Sequence, residues 1–388
     1  MLDVVEARAK LLEQLIPVSI QTQTLPLAQA AGRLAAETLN ALQPSPPFRR
    51  SVMDGYACRA QDLPGPLPVA FEAAAGSQPG TLSPGTCARI FTGAPVPEGA
   101  DRVVPQENKL GDLDGVILEP SSQPWIRPVG DDLQVGQTLV QRGQRLGPAE
   151  LGALASGGYD QVAVQMPLRV TLLTTGNEVQ APGSQLLPGQ IFNSNGLSLA
   201  SLIRGWGAEC QHRHVPDDYD STRQALASAA GDSDLVLTVG GVSVGDHDHV
   251  RPAIESLGQI DSFKVRMKPG KPFAFGQIKG VPVCCLPGNP ASAMVTCCLF
   301  VRSAIQALTH QAVTETGYPL PVRFTVPAAE RRRFLRVRWV GDGLTLHPNQ
   351  DSGALSPMVW ATGLAEIPPE QAIERGAIVQ YHPFAELI

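Results

Sequence analysis

The sequence predicts an α/β protein with three kinds of region. These are a doubly wound, mainly parallel sheet domain, an elongated helical/β amino-terminal part that carries a small β module, and a β-barrel-like domain at the carboxyl end. Three observations lead there. Between residues 169 and 312, apolar runs ending in glycine alternate with helix-like segments, the pattern of a parallel sheet with crossover helices. Residues 45–141 and 313–388 hold short β-like runs cut by glycine and proline. A chain of 388 residues is also too long for one ordinary hydrophobic core.

Taken in order, residues 3–16 read as an amphipathic helix, with Val4, Val5, Leu11, Leu12, Leu15 and Ile16 near one stripe and Pro17 closing it. PSPPFRR at 44–50 is a proline-rich linker. Residues 142–168 return to a helical pattern, so 1–44 and 142–168 form one elongated piece interrupted by a β module at 45–141. From 169, RVTLLTTG is a strand, and NSNGLSLASLIRGWG is a helix capped by Asn193 or Ser194 and ended near Gly205 or Gly207. STRQALASAAG is a helix, DLVLTVGG and VPVCCLPG are strands, and NPASAMVTCCLFVRSAIQAL is a long helix with Pro290 in its first turn. Residues 313–388 lose the helical signal, and RRRFLRVRW reads as a strand of a separate β domain.

Composition limits the chemistry. Net charge is −6 without a long basic run, which speaks against nucleic acid. No run of about 18 apolar residues is read, so no membrane span is expected. MLDVVEARAK lacks the basic start and apolar stretch of a secretory signal, so the expected compartment is the cytoplasm. The seven cysteines are odd in number and show no CxxC, which favours free core thiols over zinc. Cys284 and Cys285, neighbours on a strand, are expected to face opposite ways.

Five strings carry chemistry. Gly240, Gly241, Ser243 and Gly245, after a strand and opening a helix, let backbone N–H groups approach a phosphate. Asp248, two past Asp246, is placed to serve Mg²⁺ there. Pro287, Gly288, Asn289 and Pro290 make a second strand-to-helix turn, with Asn289 as a natural N-cap. Lys264, Lys268 and Lys271 flank a rigid Pro-Gly turn suited to an oxyanion. Glu178 ends the first strand, where a metal or ligand hydroxyl could be held. Asp54 before glycine, Thr92 in FTGAP and Asp132 after Gly130 are weaker, turn-like signals. His212, His214, His247 and His249 read as surface or loop residues.

Together, SVMDGYA, FTGAPVPEGADRVVPQE, LLTTGNEV, GGVSVGDHD, KPGKPFAFG and LPGNPAS, in this order, resemble the molybdopterin molybdenumtransferase family, which includes the corresponding domain of gephyrin. The resemblance runs from about residue 5 to the carboxyl end. It implies insertion of molybdate into adenylylated molybdopterin, releasing AMP and giving molybdenum cofactor, with Mg²⁺. It also implies four-domain homodimers whose cleft lies between subunits, with possible handover from a molybdopterin adenylyltransferase. Family positions carry onto Asp54, Thr92, Asp132, Glu178, Asp217, Asp248, Lys264, Lys268, Lys271, Pro287, Pro290, Ser352 and Arg336. Asp218 beside Asp217 leaves that position open by one residue. The family often has aspartate where Asn177 and Asn193 stand, and each asparagine removes a negative charge.

On this reading the two glycine-bearing turns hold the pterin phosphate or nucleotide, and Lys268 and Lys271 with Ser352 and Arg336 hold molybdate. Glu178 and Asp248 place Mg²⁺, and Asp54 orients substrate. Adenylyl transfer to molybdopterin, a non-catalytic scaffold of the gephyrin kind, and tungstate in place of molybdate stay open as alternatives.

Overall fold

The computed structural model describes residues 1–15, 20–241 and 249–388. The chain forms two compact units, Gln23–Val164 and Met1–Thr22 with Gln165–Ile388.

The first helix, α1 (Val4–Gln14), begins in a capping box in which Asp3 accepts from the backbone and Glu6 reaches back. Val4, Ala7 and Leu11 are its buried face, whereas Val5 is 55% exposed and lies off the expected stripe. Ile16 and Pro17 lie outside the described residues.

In the unit Gln23–Val164 a four-stranded sheet runs in the order Val69–Ala73, Cys87–Ile90, Gly55–Cys58, Arg102–Pro105. Its first pair is parallel and the others antiparallel. The helical reading of 142–168 is corrected here. Only α2 (Pro148–Ser156) is α-helical; Gly157 and Gly158, the latter at φ +99°, end it, and Gln161–Gln165 is a strand. Val162 and Val164, two apart, are both buried, which is the period of a strand. Residues 23–44 are likewise short strands and turns, with Leu39–Asn40 pairing Thr138–Val140.

The other unit is built on six strands. They are β1 (Arg169–Thr175), β2 (Glu209–Val215), β3 (Leu235–Val239), β4 (Gly258–Lys264), β5 (Pro272–Ile278) and β6 (Val281–Leu286). The sheet order is β2-β1-β3-β6-β5-β4. The first four are parallel, and β5 and β4 add antiparallel at one edge. The helices are α3 (Ser194–Gly205), α4 (Tyr219–Asp232), α5 (Val250–Leu257) and α6 (Pro290–Leu308), which contains a π-helical turn at Cys297–Val301.

Both faces of the sheet are covered. Leu172, Leu237 and Cys284 pack with α1, α3 and α6, whereas Leu173, Val236 and Cys285 pack with α4 and α5. Each such side chain, removed from water, contributes roughly 1.5–3 kcal/mol, so strands apolar on both faces commit the chain to a covered sheet.

The α6 run corrects one expectation. Residues Pro290–Leu308 are long and apolar enough to cross a membrane, yet 78% of that stretch is buried inside the unit, the setting of a core helix.

The carboxyl-terminal strands are β7 (Tyr318–Pro321), β8 (Arg332–Val340), β9 (Gly343–Leu346), β10 (Gly363–Ile367) and β11 (Ile378–Pro383). The pairing path is β8-β10-β11-β7, β9 pairs β8, and a bridge between Val322 and Leu344 links the segment after β7 to β9. Val337, Leu344, Ala365, Ile367 and Tyr381 are among the residues filling its interior. The two-residue strand Met267–Lys268 extends this sheet beside β8.

All seven cysteines are buried, free thiols. Burial pushes Cys58 up to about 12 and Cys87 and Cys210 up to about 11. Since the thiolate is the nucleophile, a disulfide reagent at pH 8 is expected to label none in the folded protein and all seven after denaturation. Stoichiometric labelling before unfolding contradicts this.

Candidate active site

A cleft of 490 Å³ opens at the carboxyl ends of the parallel strands. The chain leaves β1 toward β2 on one side and returns to β3 on the other, so the strand order reverses beside β1, where ligands bind in open sheets of this kind. Thr174, Thr175 and Glu178 line the cleft from β1, Gly240 from β3, Pro287–Pro290 from β6, Asn193–Asn195 from α3, and Pro272 from β5.

The glycines are fixed by space and by dihedral. Gly240 has φ +92° and Gly241 φ +66°. A Cβ at Gly240 would stand 3.0 Å from Thr175 Oγ1, and one at Gly288 would stand 3.7 Å from Gly240 Cα. The two turns therefore meet, and the Gly240 N–H donates to Leu286 O at 3.2 Å. Asn195 Nδ2 donates to Gly288 O at 2.7 Å, tying the first turn of α3 to the same place.

Asn289 occupies the N-cap of α6, with Pro290 at the first helical position, but its side chain makes no cap bond. It donates instead to Ser352 Oγ at 3.0 Å, and Ser352 O accepts the Ala291 N–H at 3.0 Å. Thus a loop of the carboxyl-terminal sheet caps α6 and delivers Ser352 to the turn. Arg336 on β8 holds that loop from behind. It is 1% exposed, its Nη2 donates to Asp351 O at 3.0 Å, and its backbone exchanges two bonds with the Gln350 amide. Burial lowers its pKa, with Asp351 opposing.

The lysines share one loop. Lys264 pairs with Pro272 across β4 and β5, and Val265 N donates to Lys271 O at 3.0 Å. Lys268 pairs with Arg333 of β8, and Arg266 N donates to Leu2 O at 2.8 Å. Gly270, at φ +107°, sits so close to α6 that a Cβ would meet Thr296 Oγ1 at 2.5 Å. Lys264, Lys268 and Lys271 are all exposed.

Glu178 is exposed at the rim, curled over Gly176, where a Cβ would meet its Oε2 at 2.8 Å. Asp217 N donates to Asn177 Oδ1 at 3.2 Å, which puts Asp217 beside this turn. Its neighbour Asp218 caps α4, and Ser221 holds its carboxyl below the usual range. Ser243, Gly245 and Asp248 lie outside the described residues, as does His247.

In the other unit, Thr92 N and Oγ1 both donate to Asp54 Oδ1 at 2.7 Å. These bonds, with Arg89 nearby, hold the Asp54 carboxyl below the usual range. The Asp132 N–H donates to Ser45 O at 2.9 Å.

Sequence reasoning missed a polar group in the cleft wall. His212 and His214 are exposed, as the surface reading expected, but they stand on β2 and also reach Thr174, which is 3% exposed. Asn193, expected only as a cap, does cap α3 by accepting from Gly196 N at 2.8 Å, but it also donates to Thr174 at 2.8 Å. The alternation of His212 and His214 was the available signal, but their register against Thr174 is set by sheet pairing.

Comparison with known proteins agrees along the chain. Residues 2–158 match a family described as the MoeA N-terminal region (domain I and II), 171–307 a probable molybdopterin binding domain, and 319–384 the MoeA C-terminal region (domain IV). The chain is 39% identical to a molybdopterin molybdenumtransferase of Haemophilus influenzae over 80% of this chain and 78% of that one. It is 36% identical to molybdopterin molybdenumtransferase 2 of Mycobacterium tuberculosis over 92% and 93%. A crystal structure of a molybdopterin biosynthesis MoeA protein from Pyrococcus horikoshii superposes with a TM-score of 0.85, at 30% identity and 99% coverage of both chains.

Proposed function

Because the chain belongs to the molybdopterin molybdenumtransferase family, we propose that it inserts molybdate into adenylylated molybdopterin, releasing AMP and giving molybdenum cofactor. The observation that carries this reading is the meeting of the Gly240 and Pro287–Pro290 turns in one cleft, with the lysine loop leading directly into its wall at Pro272. Backbone N–H groups at these turns suit the pterin phosphate and the anhydride. Lys268 and Lys271, with Ser352, suit a tetrahedral dianion. Bringing two anions together needs such cations, because their repulsion otherwise opposes binding.

Mg²⁺ fits this donor set in one respect: it takes one or two carboxylates and completes its shell with phosphates and water. Among the described residues Glu178 is the carboxylate at the cleft, and they hold no cluster of three or more metal-binding side chains. Glu178, together with Asp248, would hold the ion, which when bound neutralises charge on phosphoryl oxygens. Asp54, fixed by Thr92, orients substrate. We further read the protein as a cytoplasmic homodimer of four-part chains, divided at 1–44 with 142–168, 45–141, 169–312 and 313–388, that receives its substrate from a molybdopterin adenylyltransferase.

The decisive experiment follows AMP from purified protein given adenylylated molybdopterin and Mg²⁺, with and without molybdate. Molybdate-dependent AMP release supports the proposal; release indifferent to molybdate overturns it. In the same assay, Lys268→Ala is expected to raise the molybdate concentration for half-maximal rate by roughly ten- to a hundredfold, the value of one charge-assisted bond, while the pterin KM moves less. An unchanged molybdate requirement removes Lys268 from the anion site.

A further inference from the structure

A polar group in the cleft wall is centred on the Thr174 hydroxyl. Asn193 Nδ2 donates to it at 2.8 Å, and His212 Nε2 and His214 Nδ1 stand 2.9 and 3.2 Å from it. His214 is opposite Thr174 in the parallel register, and His212 lies two residues earlier on the same side of β2. The His212 ring also abuts the first turn of α3, where a Cβ at Gly196 would come within 2.5 Å of its Cε1. Asn193, Ser194 and Asn195 of that turn all line the cleft, and Asn195 holds Gly288.

A hydroxyl has one proton and two lone pairs. Asn193 fills one lone pair, leaving one proton and one lone pair for two ring nitrogens. Every partner is satisfied when one of the two nitrogens is bare and the other carries a proton. If both carry protons, two N–H groups compete for one lone pair, the hydroxyl proton has no acceptor among these side chains, and two cationic rings stand against the same oxygen. Thr174 is 3% exposed, so its hydroxyl has little recourse to water when that acceptor is lost, whereas the exposed rings can turn to solvent.

We propose that His212 and His214 are positioning residues for the substrate cleft, setting the α3 amino-terminal turn through Thr174 and Asn193, and that the turn holds its place only while at most one of the two rings is protonated at the hydroxyl. This rests on the reading that the cleft receives adenylylated molybdopterin. The geometry does not depend on that reading. The groups facing His212 are Thr174 from β1, Asn193 and Arg204 from α3, and His214 from its own strand. His212 is an exposed residue, yet the side of its ring turned to Thr174 and α3 loses water, and this, then the charges of His214 and Arg204, lowers its pKa below the ordinary value. With its pKa lowered, His212 keeps a bare ring nitrogen for this network at neutral pH and gives it up only as the pH falls below that lowered value.

The test measures AMP release from pH 5 to 8 with adenylylated molybdopterin and molybdate. For the wild type, KM for the pterin substrate is expected to rise roughly tenfold from neutral to acid pH, with kcat moving less. His212→Gln, which donates and accepts without titrating, is expected to shrink that rise to about twofold, and His214→Gln to do likewise. A second arm needs no activity: the ring Cε1–H signals of the labelled histidines are followed by NMR. His212 should titrate below the usual range, and Thr174→Val should shift its midpoint. A wild-type KM rise in both glutamine variants, or a His212 titration indifferent to Thr174→Val, overturns the proposal. Absent AMP release by the wild type at neutral pH would sink the assigned reaction instead, and the NMR arm would then decide the network alone.

Discussion

Arg336→Met is expected to leave the protein folded and yet strip it of efficient molybdate use. Methionine keeps most of the buried volume, and removing a desolvated cation offsets the lost packing, so stability should stay within about 1.5 kcal/mol of the parent. That corresponds to a change in Tm of a few degrees. What is lost is the bond from Nη2 to Asp351 O, and with it one anchor of the loop that carries Ser352. The half-saturating molybdate concentration should rise at least tenfold, the scale of one bond to a charged group. Scanning calorimetry paired with AMP release separates the outcomes. A large fall in Tm with normal molybdate dependence would make Arg336 a fold residue and nothing more.

The second large effect is expected at Gly270. Its φ of +107° disfavours any side chain, and a methyl group would collide with Thr296 Oγ1. Gly270→Ala combines backbone strain of about 1–3 kcal/mol with displacement of the loop. Thr296 is buried in α6 and cannot yield, so the loop must move and carry Lys268 and Lys271 with it. Misplacement by about 1 Å costs on the order of a hundredfold in rate. Far-UV circular dichroism should show an intact sheet while AMP release collapses. Adding Thr296→Ala should recover part of the loss, because the collision is relieved and the dihedral strain is not. Wild-type turnover in Gly270→Ala alone would mean that the loop plays no part in catalysis.

The outcome at these residues shows which parts of the molecule were legible in the chain. β1, β3 and β6 were readable because each is an apolar run ended by glycine, a local pattern, and the opposed burial of Cys284 and Cys285 followed from strand alternation. The Gly240 and Gly288 turns and the Pro290 start of α6 were readable for the same local reason. The stretch 142–168 was misread because apolar residues spaced around Gly147, Gly157 and Gly158 mimic a helix, although the glycines break it. The diversion of the Asn289 side chain to Ser352, the burial of Arg336 and the convergence of His212 and His214 on Thr174 were not legible. Each joins residues distant in sequence, and register between strands leaves no trace in either strand alone.

The short strand at Met267–Lys268 has a further consequence. It pairs with β8, and Val265, two residues before it, bridges to Leu2. The cationic loop is thus held by the amino-terminal residues and by β8, contacts that are distant in sequence. A chain ended at residue 312, or one lacking residues 1–3, should still assemble its parallel strands but present the lysines without a fixed address. Complementation by separately supplied fragments would then restore the anion site only when all three segments are together.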